Sequence, residues 1–187
     1  MLLKILFNNQ LKFKKTIFLD KDGTIIDSII RKEKISSIRK LSEIKYKKNA
    51  NYIKNIKNEL NFNIVIISNQ PDFKRQIFPK SFLYKTANLL KSKTKCDQIY
   101  FCCHLKIDNC KCRKPKNYFL KKILERYQQK KSNCYFIGDT SADLVCAKKS
   151  GINFILMKNL YNKSLAKKSN YSINNFKELF EFLKYNS

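Results

Sequence analysis

The 187-residue chain has no tryptophan, three glycines, three prolines and a single histidine. So little glycine and proline excludes a low-complexity or linker-rich protein, and no internal repeat is visible. Acidic side chains are scarce too, with 14 Asp+Glu against 40 Lys+Arg and a net charge of +26. No apolar run approaches the roughly 18 residues of a membrane-spanning helix. The opening residues 1–13 have too short an apolar part, and no small-residue cleavage site, for a secretory leader. A cytoplasmic location without a membrane partner is the expectation.

Hydrophobic residues make up 43% of the chain and aromatics 13%, enough to fill the core of one domain. The charge has two readings. One is polyanion binding through counterion release. The other is compositional drift, since lysine far outnumbers arginine while asparagine and isoleucine abound. The lysines are scattered and form no stripe interleaved with aromatics, so nucleic acid is not the expected partner. Residues 15–187 are expected to form one domain and a monomer. Residues 1–14 are an extension, either an added edge strand or a frayed tail.

Apolar runs at 16–19, 63–67, 98–102, 134–137 and 153–157 predict strands. Helical patterns lie between them near 49–60, 81–93, 116–130 and 141–149, with another at 175–184. This alternation predicts an α/β fold, a parallel sheet with helices on both faces. The basic segment 28–48 is expected to be irregular and to wrap the surface near the first strand's loop. In such sheets ligands bind beyond the carboxyl ends of the strands. There the sequence places Asp20, Ser68, Cys102 and Gly138-Asp139.

Asp20-Lys21-Asp22-Gly23-Thr24 follows the first of these strands. Two carboxylates two residues apart can divide the work at one phosphorus atom. Asp20 attacks as nucleophile, and Asp22 gives a proton to the leaving oxygen and then takes one from water. A solvated Asp-rich turn is the plainer alternative. Ser68-Asn69-Gln70 offers a hydroxyl and an amide to phosphoryl oxygens. Asp139, with Asp20 and the Asp22 main-chain carbonyl, makes an oxygen-rich set suited to Mg²⁺. Asp143 could orient that site or serve as a first-turn carboxylate.

Seven cysteines without a leader argue against disulfides. Cys102, His104, Cys110 and Cys112 give C-x-H-x5-C-x-C, a donor set suited to structural zinc. Cys103 could substitute but is expected to point away. Arg113-Lys114-Pro115 follows directly, and the clamped loop would aim Lys114 at the phosphate and Arg113 at a second phosphate or a sugar oxygen.

In this order, D-x-D-G-T, strand-end Ser, Lys and G-D-x-x-x-D, the chain resembles the haloacid dehalogenase superfamily of phosphohydrolases. The zinc loop followed by C-R-K-P is similar to its small-capped branch. That branch holds the D-glycero-D-manno-heptose-1,7-bisphosphate and histidinol-phosphate phosphatases. The resemblance implies a Rossmann-like three-layer sandwich with a mostly parallel sheet, a minimal cap and a zinc-stabilised loop. It implies Asp20 as nucleophile, Asp22 as acid/base, and Ser68 and Lys114 as phosphate binders. It further implies Mg²⁺ at Asp20, Asp22 and Asp139, structural Zn²⁺ at Cys102, His104, Cys110 and Cys112, and substrate contacts at Asn69 and Arg113. The implied activity is Mg²⁺-dependent hydrolysis of a small sugar phosphate, first among them the heptose bisphosphate. Histidinol phosphate, a polynucleotide 3′-phosphate and a non-catalytic binding role follow in that order. The chain departs from the branch at Asn117-Tyr118-Phe119, Thr140, Ser150-Gly151 and Phe73-Lys74-Arg75-Gln76.

Overall fold

The computed structural model describes residues 1–31 and 33–186. The strands are β1 (Leu2–Leu6), β2 (Thr16–Leu19), β3 (Ile29–Arg31), β4 (Lys34–Ser36), β5 (Asn63–Asn69), β6 (Gln98–Cys102), β7 (Cys134–Gly138), β8 (Asn153–Met157) and β9 (Tyr171–Ile173). The helices are α1 (Tyr52–Leu60), α2 (Pro71–Lys74), α3 (Lys80–Thr94), α4 (Tyr118–Arg126), α5 (Ser141–Ser150), α6 (Lys163–Ala166) and α7 (Phe176–Asn186). Seven strands form one sheet in the order β1-β6-β5-β2-β7-β8-β9. All neighbouring pairs are parallel except β1 with β6.

The strands read as continuous apolar runs because the sheet is covered on both faces. Their side chains still alternate between two cores. Ile17, Leu19, Ile64, Ile66, Ile99 and Phe101 face one core, closed by Ile53 and Ile56 of α1, Leu83 and Leu90 of α3, and Leu179 of α7. Phe18, Val65, Ile67, Tyr100 and Phe136 face the other, closed by Phe119, Leu120 and Ile123 of α4 and by Leu144 and Ala147 of α5. The three layers expected from the sequence are present.

Residues 1–14 contribute the antiparallel edge strand, with Leu2 opposite Cys102 and Leu6 opposite Gln98. The segment expected to be irregular instead contains the β3–β4 hairpin, with Ile30 opposite Ile35. Its strands are three residues long and both of these isoleucines are exposed. No buried face gives the alternation by which a strand is recognised. This hairpin stands where the resemblance implies a minimal cap, its Ile35 lining one depression with Asp139.

β2 sits where the connections diverge, with β5 on one side and β7 on the other. That is the switch point at which open α/β sheets form their ligand crevice.

Candidate active site

Asp20 leaves the end of β2 buried, and its two oxygens differ. Oδ1 accepts from the Lys21 main-chain N–H at 2.7 Å and lies 2.8 Å from Lys114 Nζ. Oδ2 has no hydrogen bond among the described residues. Gly23 turns the loop at φ +82°, and a Cβ there would lie 2.0 Å from Asp139 Oδ2. Only glycine lets the two strand ends approach so closely.

Lys114 is buried, with its ammonium placed between carboxylates. Nζ is 2.8 Å from Asp20 Oδ1, 2.7 Å from Asp143 Oδ1 and 2.9 Å from the Ile67 carbonyl that accepts from it. The Ile67 contact is a hydrogen bond, and the two carboxylate contacts are ion pairs. Asn69 fixes the main chain beside it, accepting from the Lys114 N–H at 3.1 Å and donating to the Lys114 carbonyl at 3.2 Å. The structure thus brings Asp20 and Lys114 together, and engages the Asn69 amide with the lysine's backbone.

Asp139, at the end of β7, lies among Thr24 Oγ1 at 3.4 Å and Asn159 Nδ2 at 3.1 Å. Asn162 Nδ2 donates to its carbonyl at 3.0 Å. Asp143 is fully buried in the first turn of α5. Its Oδ2 accepts from the Thr140 N–H at 3.0 Å and from the Thr140 hydroxyl at 2.6 Å. This capping box is the local reason for threonine at 140, and it turns Oδ1 of Asp143 toward Lys114.

Carboxylate oxygens of Asp20, Asp139 and Asp143 all lie within 4.8 Å of one another. Burial pushes the Asp20 carboxyl up to about 6, with Lys114 pulling against it and Asp143 adding to it. Burial, with Asp20 and Asp143 adding to it, pushes Asp139 up to about 8. Three carboxylates share one lysine, a surplus of negative charge that a divalent cation would relieve. The residues present fit such an ion. The Asp22 carboxylate stands apart from this cluster. Its Oδ1 is 2.7 Å from Lys21 Nζ, and its Oδ2 accepts from Gln70 Nε2 at 2.8 Å. Ser68 Oγ also accepts from Gln70 Nε2, at 3.0 Å, leaving the serine hydrogen free for another oxygen.

Beyond β6 the expected metal-binding quartet assembles. The Sγ atoms of Cys102, Cys110 and Cys112 are 3.3–3.7 Å apart, and His104 Nδ1 is 3.3 Å from Cys112 Sγ and 3.6 Å from Cys102 Sγ. Zinc bonds of about 2.3 Å to sulfur and about 2.0 Å to nitrogen make tetrahedron edges of about 3.5–3.8 Å. The same sulfurs are too far apart for a bond of about 2.05 Å, and all seven cysteines are free. The donor set fits tetrahedral zinc. Cys103 Sγ points away, toward the Phe101 carbonyl. Arg113 donates to the His104 carbonyl at 3.1 Å, so its guanidinium braces this loop.

Several residues of the site were not singled out by the sequence. A lysine inside a lysine-rich chain gave no sign that Lys21 would be buried. Gln70 stood in the Ser-Asn-Gln run without a role of its own. Asn159 and Asn162 follow β8, a strand end to which no chemistry was assigned. Arg39 and Arg75 converge on Asp72 at 2.9 and 2.8 Å. With Arg31 and Lys34 they line a depression of about 560 Å³ under the hairpin.

Residues 111–179 match the family model described as HAD-hydrolase-like. The chain is similar to the histidine biosynthesis bifunctional protein HisB of Blochmanniella floridana, 35% identical over 147 residues, 75% of this chain and 40% of that protein. The HisB of Baumannia cicadellinicola is 33% identical over 145 residues, again 75% of this chain and 40% of that protein. This chain thus spans about two fifths of the length of these curated relatives. In fold it is similar to the D,D-heptose 1,7-bisphosphate phosphatase of B. bronchiseptica, whose structure was determined with magnesium and phosphate. The TM-score is 0.79 at 21% identity, covering 92% of this chain and 99% of that one. The corresponding phosphatase of Burkholderia thailandensis gives 0.63 at 17% identity, covering 90% and 98%. With the four strand ends arranged as described, the chain has the fold of these phosphatases, and residues 111–179 carry the match to the HAD-hydrolase-like family.

Proposed function

We propose that this protein is a magnesium-dependent phosphomonoesterase acting on a small phosphorylated metabolite, as a cytoplasmic monomer that does not take nucleic acid as its partner. No described helix is long and apolar enough to cross a membrane. The observation that carries the reading is the pairing of Asp20 Oδ1 with Lys114 Nζ at 2.8 Å while Oδ2 is left uncommitted. In the proposed reaction Oδ2 attacks phosphorus, and the bond from phosphorus to the leaving oxygen breaks. Asp22 gives that oxygen its proton. Water then attacks the Asp20-bound phosphoryl group, returning a proton to Asp22 and releasing phosphate. Lys114 and the Ser68 hydroxyl face the charge that develops on the phosphoryl oxygens. Asp20, the Asp22 main-chain carbonyl and Asp139 would hold Mg²⁺, with Asp143 beside them, and the ion would screen this charge. Cys102, His104, Cys110 and Cys112 would hold Zn²⁺ and keep Lys114 in place.

A sugar bisphosphate, D-glycero-D-manno-heptose 1,7-bisphosphate, is the first substrate reading. It is supported by the likeness to the two heptose bisphosphate phosphatases. Histidinol phosphate is the second reading, favoured by relatives named for histidine biosynthesis. Parallel specificity constants on the two substrates, with Asp20→Asn as control, decide between them. Hydrolysis by the wild type and none by the variant is expected. Equal turnover in the two proteins would end the proposal.

A further inference from the structure

Lys21 is the one residue of the first loop whose burial the proposed chemistry leaves unexplained. Its side chain is 1% exposed, and lysine is almost never fully buried without a partner. Its one acidic partner among the described residues is Asp22, through Oδ1 at 2.7 Å. Gln70, 1% exposed, takes the opposite oxygen at 2.8 Å. An apolar side chain of the same length would fill this space at lower desolvation cost. Packing therefore accounts for the stem of Lys21 and leaves its ammonium unaccounted for.

We propose that Lys21 and Gln70 are positioning residues that hold the Asp22 carboxyl in the orientation from which it serves the leaving oxygen. An ammonium and an amide N–H donate and do not accept. Each Asp22 oxygen is thus occupied on one side by a group that takes no proton from it. A proton on Asp22 is left on a side directed away from both, and passes to the leaving oxygen as its bond to phosphorus breaks. Two fixed donors also remove the rotation about χ2 that a free aspartate retains, the kind of support that an acid/base residue needs. Gln70 ties the same carboxyl to Ser68, which it reaches at 3.0 Å. The acid/base and one phosphate-binding hydroxyl are thereby held in fixed relation.

This inference rests on the phosphomonoesterase reading, and the test separates the two. Wild type, Lys21→Met, Lys21→Arg and Gln70→Leu are compared by kcat/KM on p-nitrophenyl phosphate and on the alkyl phosphate that the wild type turns over fastest. The aryl ester leaves with little need of a proton, whereas the alkyl ester needs one. Lys21→Met is expected to lose about tenfold or more in excess on the alkyl ester, with a melting temperature no lower than wild type. Lys21→Arg is expected to recover most of that excess. Gln70→Leu is expected to shift the same ratio, and it decides the matter should Lys21→Met fail to fold. Equal losses on both esters, or none, would overturn the positioning role alone. A wild type that hydrolyses neither ester would overturn the phosphatase reading, and this inference with it.

Discussion

At the Asp20 carboxylate the division of labour is between two oxygens of one side chain. Oδ1 is held by a main-chain N–H and by Lys114, while Oδ2 is free of hydrogen bonds among the described residues. Beside it the loop lies against Asp139, a close approach that Gly23 permits. Gly23→Ala is therefore expected to push the Asp139 carboxylate away and to strain the positive φ, at a cost of about 1–3 kcal/mol. Melting temperature and metal affinity should both fall. A variant with wild-type Mg²⁺ affinity would show that the close approach is dispensable. At this scale the charged residues of the site were legible in the sequence, because Asp20 and Asp139 stand directly after apolar runs and Lys114 stands just after the Cys/His cluster. Their partners were not. Whether Lys21 points into the protein, or Asn69 toward a neighbouring main chain, depends on tertiary contacts between segments 45 or more residues apart, as at Asn69 and Lys114.

At the scale of elements, the hairpin and the metal loop are each fixed by a small number of side chains. Glu43 sits in the turn after the hairpin and accepts from Arg31 of β3 and from the Arg39 and Lys40 N–H groups. Burial raises its carboxyl, but these donors outweigh it and hold the group down at about 2. A depressed acid contributes stability above its ordinary value near 4.5 and loses it as pH falls through its folded value. The melting-temperature gap between wild type and Glu43→Gln should be full above about pH 4.5 and close toward about pH 2. A gap that does not change over this range would contradict the assignment. In the metal loop, Cys110→Ser is expected to lower bound zinc from about one atom per chain toward none. Elemental analysis and thermal unfolding read this directly, and unchanged zinc content would remove Cys110 from the ligand set. The loop was legible because cysteine and histidine spacing is local. The hairpin was not, because three-residue strands with exposed Ile30 and Ile35 have no burial pattern to betray them.

At the scale of the whole molecule, the net charge of +26 is opposite in sign to the proposed phosphorylated substrate. A steered encounter weakens as salt screens it. Raising ionic strength should therefore lower kcat/KM several-fold with kcat little changed, as steady-state kinetics across a salt series would reveal. A flat profile would leave the charge without a part in substrate capture. The sheet order was only partly foreseeable. Five strands announced themselves as apolar runs, but β9 has a single buried residue in three, and β1 could not be told from a tail.

The pairing of Cys102 with Asn69 in the ladder between β6 and β5 closes a circuit. From Cys102 the path crosses the metal quartet to Cys112, runs two residues along the backbone to Lys114, and returns through the amide of Asn69. A ring of this kind survives one cut. With zinc in the quartet as proposed, stripping it would open the ring on one side while the asparagine still grips the lysine, so depleted protein should keep a weakened activity. Asn69→Ala on top of depletion severs the second arc, and the combined loss should exceed the product of the two separate ones.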